Sequence, residues 1–278
     1  MSTADKLNKL LETKQAIKQA IVDKGVEVGD DTKFSDYPAK IASIESGGGA
    51  DPWFETMWNV ITNNNTDYSY LFSNYNGKTL DLSNLDTSNA ISIGYMFYFC
   101  SSSTILGINN FNTSKVTNMN RVFYYAQSLE TLDLSNWDTK KVSDMSYMFS
   151  NCSGLIELNL SNWDVSAVST MSYMFQYCRN LTILDLSGWD ISKITASYMV
   201  SSMFSECPKL ADFKAPKNIN VNMSFSSCTQ LTHDSLMSII NNLATVTTTK
   251  TLTLGSTNLA KLTDDEKAIA TNKGWTLK

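Results

Sequence analysis

The sequence is short of almost everything that carries chemistry. It holds a single histidine, His233, flanked by Asp234 and Ser235. Three such residues adjacent in the chain do not make a triad, because their side chains point in different directions around one turn. The five cysteines, Cys100, Cys152, Cys178, Cys207 and Cys228, are odd in number and lack C-x-x-C spacing, which excludes a zinc knuckle and a redox pair. Lys and Arg are not clustered and the net charge is −5, a poor footing for nucleic acid or an anionic membrane surface. No apolar run is long enough to span a bilayer, and none of signal-peptide type follows Met1, so manufacture and folding in a cytoplasm are expected. No glycine-rich phosphate loop follows a strand, and no carboxylate pair stands apart. The expectation is therefore a protein that is not an enzyme, with no cofactor and no metal.

What the sequence does have is a repeat. Tyr-Met-Phe recurs at 95–97, 147–149 and 173–175, with variants ending at Phe72, Phe123 and Phe204. Successive phenylalanines are 25, 26, 26, 26 and 29 residues apart, and Phe225 follows after 21. In one unit Met145, Met148, Phe149 and Cys152 stand at i, i+3, i+4 and i+7, the spacing of one helix face. Leu155, Leu158 and Leu160 then follow as L-x-x-L-x-L, with the two-residue period of a half-buried strand across 158–160. Neither element can bury its apolar face alone, so the units must stack. This predicts an α/β leucine-rich-repeat solenoid: a parallel sheet of at least five strands near Leu80, Leu106, Leu132, Leu158 and Leu184, with a short helix before each of the last four.

Stacking also accounts for the columns. The cysteines lie three residues after a repeat phenylalanine, where Phe123 has Ala126 instead, and read as reduced, buried and without polar partners. Trp137, Trp163 and Trp189, continued by Phe111 and Leu85, read as core, with an aromatic sugar platform as the alternative. The outward positions of the strand motif form three polar columns about 4.8 Å apart strand to strand. One holds Asp81, Gly107, Asp133, Asn159, Asp185 and Lys214; the next holds Ser83, Asn109, Ser135, Ser161 and Ser187; the one before holds Thr79, Ile105, Thr131, Glu157, Ile183 and Asp212. From these, Asp81, Asn109, Thr131, Asp133, Ser135, Glu157, Asn159, Ser161, Asp185 and Ser187 are the candidate binding residues, for a glycan or a protein. A solvated sheet face is the alternative, and a self-repelling Asp column leaves a bound cation open. Asp86, Asp138, Asp164 and Asp190 are expected to cap the helix turns that follow them.

The run LSNWDTKKVSDMSYMFSNCSGL, with its neighbours LSNWDVSAVSTMSYMFQYCRNL and LSGWDISKI, resembles the BspA-like leucine-rich repeats from about Asp67 to Leu231. The resemblance implies binding without catalysis. Such repeats are typical of bacterial surface adhesins and occur in phage and prophage proteins.

The flanks divide the chain into 1–46, a glycine linker at 47–50, an N-terminal cap at 51–66, the repeats at 67–231 and a C-terminal cap at 232–278. A helix from Thr3 to Lys24 is expected, with Leu7, Leu10, Ile17 and Ile21 on a seven-residue frame and Gly25 as its stop. The following K-G-V-x-V…T-x-F-x-D-Y-P-x-K-I-x-x-I, which carries Phe34, Tyr37 and Ile41, resembles the attachment modules of phage tail and fibre-type proteins. A helix packed on the repeats is the alternative. In the C-terminal cap, Leu236, Ile239, Ile240 and Leu243 mark a helix, Thr251–Leu254 a strand, Thr263 with Glu266 a capping box and Trp275–Leu277 a last strand. Taken together, these readings suggest a virion component, a tail, baseplate or head fibre. It would be mounted through its N-terminus on other virion proteins, with a trimer favoured, and would present the repeats to a host-surface glycan or protein. A bacterial adhesin or protein-interaction module is the alternative.

Overall fold

The computed structural model describes residues 66–278 apart from Asn76 and Asn84, together with Lys18, Gln19 and Val22, whose backbone is helical. The attachment residues Leu7, Leu10, Ile17, Ile21, Phe34, Tyr37 and Ile41, and the linker at 47–50, lie outside the described residues. The architecture is mixed α/β, with parallel strands and few helices.

Among the described residues, eight short strands form three parallel sheets. They are β1 (Thr79–Asp81) with β2 (Thr104–Leu106), then β3 (Glu157–Asn159), β4 (Ile183–Asp185) and β5 (Asp212–Lys214), then β6 (Met223–Ser224), β7 (Lys250–Thr253) and β8 (Trp275–Leu277). Each strand turns one side chain into the core, so Leu158, Leu184 and Phe213 lie side by side in register. Two expectations need correction here. The sheet is not continuous, because Thr131–Asp133 makes no ladder bonds, and the nearest link is Ile156 N–H to the Glu130 carbonyl at 3.1 Å. The register also slips at β2, where Asp81 pairs with Leu106 and Leu80 with Ile105. Ile105 is thus buried and Leu106 exposed, the reverse of the expected facing. Gly107 absorbs the extra residue at φ 75°, where an added Cβ would meet Ser83 Cα at 2.5 Å. Glycine alone tolerates both the positive φ and that approach.

The helices expected before the strands are absent. Residues 145–152 are consecutive β-turns, as are 93–100, 119–126 and 171–178. Met148, Ser150 and Cys152 donate their N–H groups three residues back, to Met145, Tyr147 and Phe149. The alternate N–H groups, of Met145, Tyr147, Phe149 and Asn151, donate to Thr170, Ser172, Met174 and Gln176 of the next coil at 3.0, 2.9, 2.9 and 2.7 Å. Beyond its first turn an α-helix bonds every N–H internally, so alternate N–H groups along the whole segment could not go to the neighbour. The turns need positive φ at Tyr147 (58°) and Asn151 (64°), and the neighbouring coils repeat this at Tyr95, Arg121 and Tyr173. For residues other than glycine that conformation costs about 1–2 kcal/mol each. The coil-to-coil bonds and the stacked rings offset it.

The core is a set of side-chain columns. Phe97, Phe123, Phe149 and Phe175 stack at centroid spacings of 5.2, 5.5 and 5.6 Å, within 8° of parallel. Trp137, Trp163 and Trp189 stack at 6.2 and 6.4 Å and are buried. Each indole donates to a main-chain carbonyl of the preceding coil: Trp137 to Ile108 (3.0 Å), Trp163 to Leu134 (3.3 Å) and Trp189 to Leu160 (2.7 Å). The tryptophans are therefore core and not a sugar platform.

All five cysteines are free and buried. They are not partnerless, since the Cys152, Cys178 and Cys207 thiols reach the carbonyls of Phe123, Phe149 and Phe175 at 3.0, 3.1 and 3.0 Å. Burial holds every one of these thiols above its usual range, and pushes Cys207 up to about 12.

The stack closes at the C-terminus on three helices, α1 (His233–Asn241), α2 (Ser256–Leu259) and α3 (Asp264–Asn272). Leu236, Ile239 and Ile240 of α1 are buried, and Thr263 and Glu266 form a reciprocal capping box at α3. Buried Asn258 donates to the carbonyls of Cys228 and Leu254 at 3.1 and 3.0 Å, tying α2 to the last coils.

Two outcomes follow. Native protein should resist alkylation at all five thiols, and all five should react once denaturant is added, as read by intact mass. Phe149→Ala should cost about 3–5 kcal/mol in denaturant unfolding, because it removes one ring from the middle of a column.

Candidate functional site

The D/N-L-S pattern of the strand motif has a local cause. In each such coil the Asp or Asn Oδ1 accepts from both the backbone N–H and the hydroxyl of the serine two residues on. The pairs of distances are 3.0 and 2.7 Å for Asp81–Ser83, 3.1 and 2.6 Å for Asp133–Ser135, 3.0 and 2.7 Å for Asn159–Ser161, and 2.9 and 2.6 Å for Asp185–Ser187. This Asx turn ends the strand and bends the chain into the Trp segment. The repeat-end aspartates do the same: Asp86, Asp138, Asp164 and Asp190 accept from the N–H of Ser88, Lys140, Ser166 and Ser192 at 2.8–3.1 Å. They cap turns, and no helix follows them.

Above the sheet lies an open groove of about 500 Å³ that runs across four coils. Its floor is Leu132, Leu134, Leu158 and Leu184. Six of the ten candidate residues line it: Thr131, Asp133, Ser135, Glu157, Asn159 and Asp185. Asp212, Lys214, Asn162 and the half-exposed Ile183 complete it. The other four candidates lie outside. Asp81 belongs to the separate β1–β2 sheet, and Asn109 is in a short 3-10 turn (Ile108–Asn110) beyond the register slip, without the Asx pairing. Ser161 and Ser187 serve their own turns.

The groove is acidic on balance. Serine bonds hold the Asp133 carboxyl below the ordinary carboxylate range. For Asp185, partial burial acts upward, but the Ser187 bonds and the Lys214 ammonium outweigh it and the net shift is downward. Lys214 Nζ meets Asp185 Oδ2 at 2.9 Å, and the same contact raises the lysine. Among the described residues no cluster of three His, Cys, Asp or Glu side chains could hold a metal ion. The Asp133, Asn159 and Asp185 oxygens turned toward serine are already used, and Lys214 holds the second Asp185 oxygen, so the groups left for a ligand are the second Asp133 oxygen, the Asn159 amide nitrogen, Glu157, Thr131 and the remaining Lys214 N–H donors.

The sequence reading missed Lys214 as the partner of Asp185, although both stand in the same outward column. It also looked for solvent-exposed aromatics among the tryptophans. Among the described residues the exposed rings are Tyr198, in the short 3-10 turn Ser197–Val200, and Tyr70 and Phe99 of the turn segments, with Tyr70 half-exposed and stacked on Tyr95 at 4.5 Å. The signal was the aromatic residues that flank several of the repeat phenylalanines, as in Tyr95, Tyr98, Phe99, Tyr124 and Tyr125.

The chain matches the family described as "Mycoplasma protein of unknown function, DUF285" over residues 55–104, 66–157, 96–215 and 131–238. These overlapping segments cover more than half of the chain, and it belongs to that family of BspA-like repeats. No curated protein and no solved structure matches it.

The depressed carboxylates give a pH dependence. Asp86, Asp133, Asp164, Asp185 and Asp190 are all lowered in the folded chain, so the folded state binds fewer protons than the unfolded one. Their contribution is complete above the unfolded carboxylate pKa and is lost as pH falls through the lower folded values. The melting temperature should be flat from pH 7 to about 5 and fall steadily below about pH 4, as read by calorimetry.

Proposed function

We propose that this chain is a non-enzymatic interaction protein of the BspA-like kind, a leucine-rich-repeat solenoid that holds a partner in the groove over β3–β5. The observation that carries this is the groove itself, a recess built from outward side chains of four successive coils in a chain of a repeat family. Thr131, Asp133, Glu157, Asp185 and Lys214 would make the polar contacts, and Ile183 the apolar one. The partner class that suits it is a cell-surface protein or glycan. Labelled chain should bind intact cells of a susceptible host in flow cytometry. The triple variant Asp133→Ala, Glu157→Ala, Asp185→Ala should lose at least tenfold in apparent affinity. Unchanged binding by a folded triple variant would place the contact elsewhere.

The N-terminal sequence favours a second reading, that the protein is a virion component carried on a particle by residues 1–46. It rests on the attachment-like motif with Phe34, Tyr37 and Ile41 and on the apolar frame Leu7, Leu10, Ile17 and Ile21, whose length calls for a partner surface. Removal of residues 1–49 should leave a folded, monomeric repeat domain in light scattering that no longer incorporates into particles. A truncated chain that still incorporates, or that fails to fold, contradicts it.

A further inference from the structure

The turn segments present a second surface, separate from the sheet groove. Its centre is a ladder of one side chain per coil. Tyr70 stacks on Tyr95 at 4.5 Å, and Tyr147 stacks on Tyr173 at 4.6 Å. Between the two pairs stands Arg121, which takes the place of a ring. Its guanidinium lies 4.2 Å from the Tyr147 ring centroid and 5.3 Å from that of Tyr95, and it donates to the Tyr95 hydroxyl at 2.7 Å. Beside the ladder, Tyr98 stacks on Tyr124 at 5.6 Å and Phe99 on Tyr125 at 4.5 Å, so the aromatic surface is contiguous.

Three properties of this surface point to its partner. First, stacking turns the electron-rich ring faces against one another and leaves ring edges and hydroxyls outward, and the edges carry the positive end of the quadrupole. Second, Arg121 and Arg179 are the only arginines in the sequence, and both lie against tyrosines of these segments, Arg179 at 5.4 Å from the Tyr177 ring. Neither guanidinium forms an ion pair among the described residues, in a chain whose net charge is −5. Third, the contacts repeat once per coil at ring spacings of 4.5–5.6 Å, whereas an extended peptide advances about 3.3 Å per residue. A chain of linked pyranose rings advances by about one ring per coil.

We propose that the Tyr70–Tyr95–Arg121–Tyr147–Tyr173 ladder is a binding surface for an acidic polysaccharide, with Arg121 taking a sugar carboxylate and the tyrosine hydroxyls and ring edges taking the sugar hydroxyls. Arg121 is pre-set for this, because the flanking rings fix its plane while the donors not used by Tyr95 and Asn120 stay open to a carboxylate.

The full chain is titrated calorimetrically with tetrasaccharides of galacturonate, mannuronate and sialic acid, with a neutral glucose tetramer and with tetraglutamate. At least one acidic sugar should bind at least tenfold more tightly than the neutral tetramer and than tetraglutamate. Arg121→Gln should weaken that binding at least tenfold, while Asp133→Ala, in the sheet groove, leaves it unchanged. Thermal melting of both variants checks folding, and Tyr173→Phe, which keeps the ring and removes the hydroxyl, gives a second, milder loss. Silence across all the acidic sugars, equal binding of the neutral tetramer, binding by tetraglutamate as tight as by any sugar, or undiminished binding by folded Arg121→Gln would each overturn the proposal. Loss of the same binding in folded Asp133→Ala would instead assign the sugar to the sheet groove.

Discussion

Everything in the repeat region depends on the main-chain ladder between turn segments. Every second N–H of residues 145–151 leaves its own coil for a carbonyl of the next, and the intervening N–H groups close the local turns. Residues 119–125 pair with 144–150 in the same way, and 171–177 with 199–205. All polar main-chain groups of a dense, buried segment are thereby satisfied without an α-helix. Parallel bridges from Asp67 through Ser92, Asn118 and Asp144 to Thr170 continue the ladder at the start of each turn segment. The strands add comparatively little, being two to four residues long and broken into three sheets.

The ladder fixes the side-chain columns. Coils locked at hydrogen-bond distance must place equivalent residues directly over one another, so rings meet rings in both the Phe and the Trp columns. Identical neighbours at this spacing suit flat side chains and small ones, which explains the cysteine and alanine column beside the phenylalanines. The same constraint acts on the outside. Tyrosines at the positive-φ positions stack on one another, and an arginine enters that stack by virtue of its planar group. Surface chemistry is thus laid out in lines of one residue per coil, both in the sheet groove and along the turns.

Much of this was legible in the residues. The spacing of the phenylalanines set the coil length, and the leucine, tryptophan and cysteine positions gave the buried columns. Thr263 and Glu266 announced their capping box. The turn segments were not legible as turns, because Met145, Met148, Phe149 and Cys152 show the same buried spacing on consecutive β-turns as on a helix. What differs is the destination of the N–H groups, which side-chain periodicity does not encode. Tyr147 at positive φ also runs against ordinary residue preference, although Asn151 suits that conformation, so the local signal for the turn was mixed. The slip at β2 had a trace, the 25-residue step from Phe72 to Phe97 followed by Gly107, but the column alignment placed Gly107 opposite Asp81 where the structure pairs Leu106. Of the candidate site, the outward columns were visible; the groove was not, since it depends on how four successive coils stack, three of them in strand register, and on the Asp185–Lys214 contact.

If the coil-to-coil ladder is what holds the fold, its period is the quantity to disturb. Excising residues 145–170 removes 26 residues and joins Asp144 to Met171, so every remaining N–H meets an equivalent carbonyl. Excising 145–169 leaves Thr170 at the junction and shifts the following coils by one residue. Cooperative unfolding followed by circular dichroism compares the two chains. The in-phase deletion should unfold in a single transition at a modestly lower melting temperature, and the out-of-phase deletion should show no cooperative transition. Equal stability of the two would contradict the account.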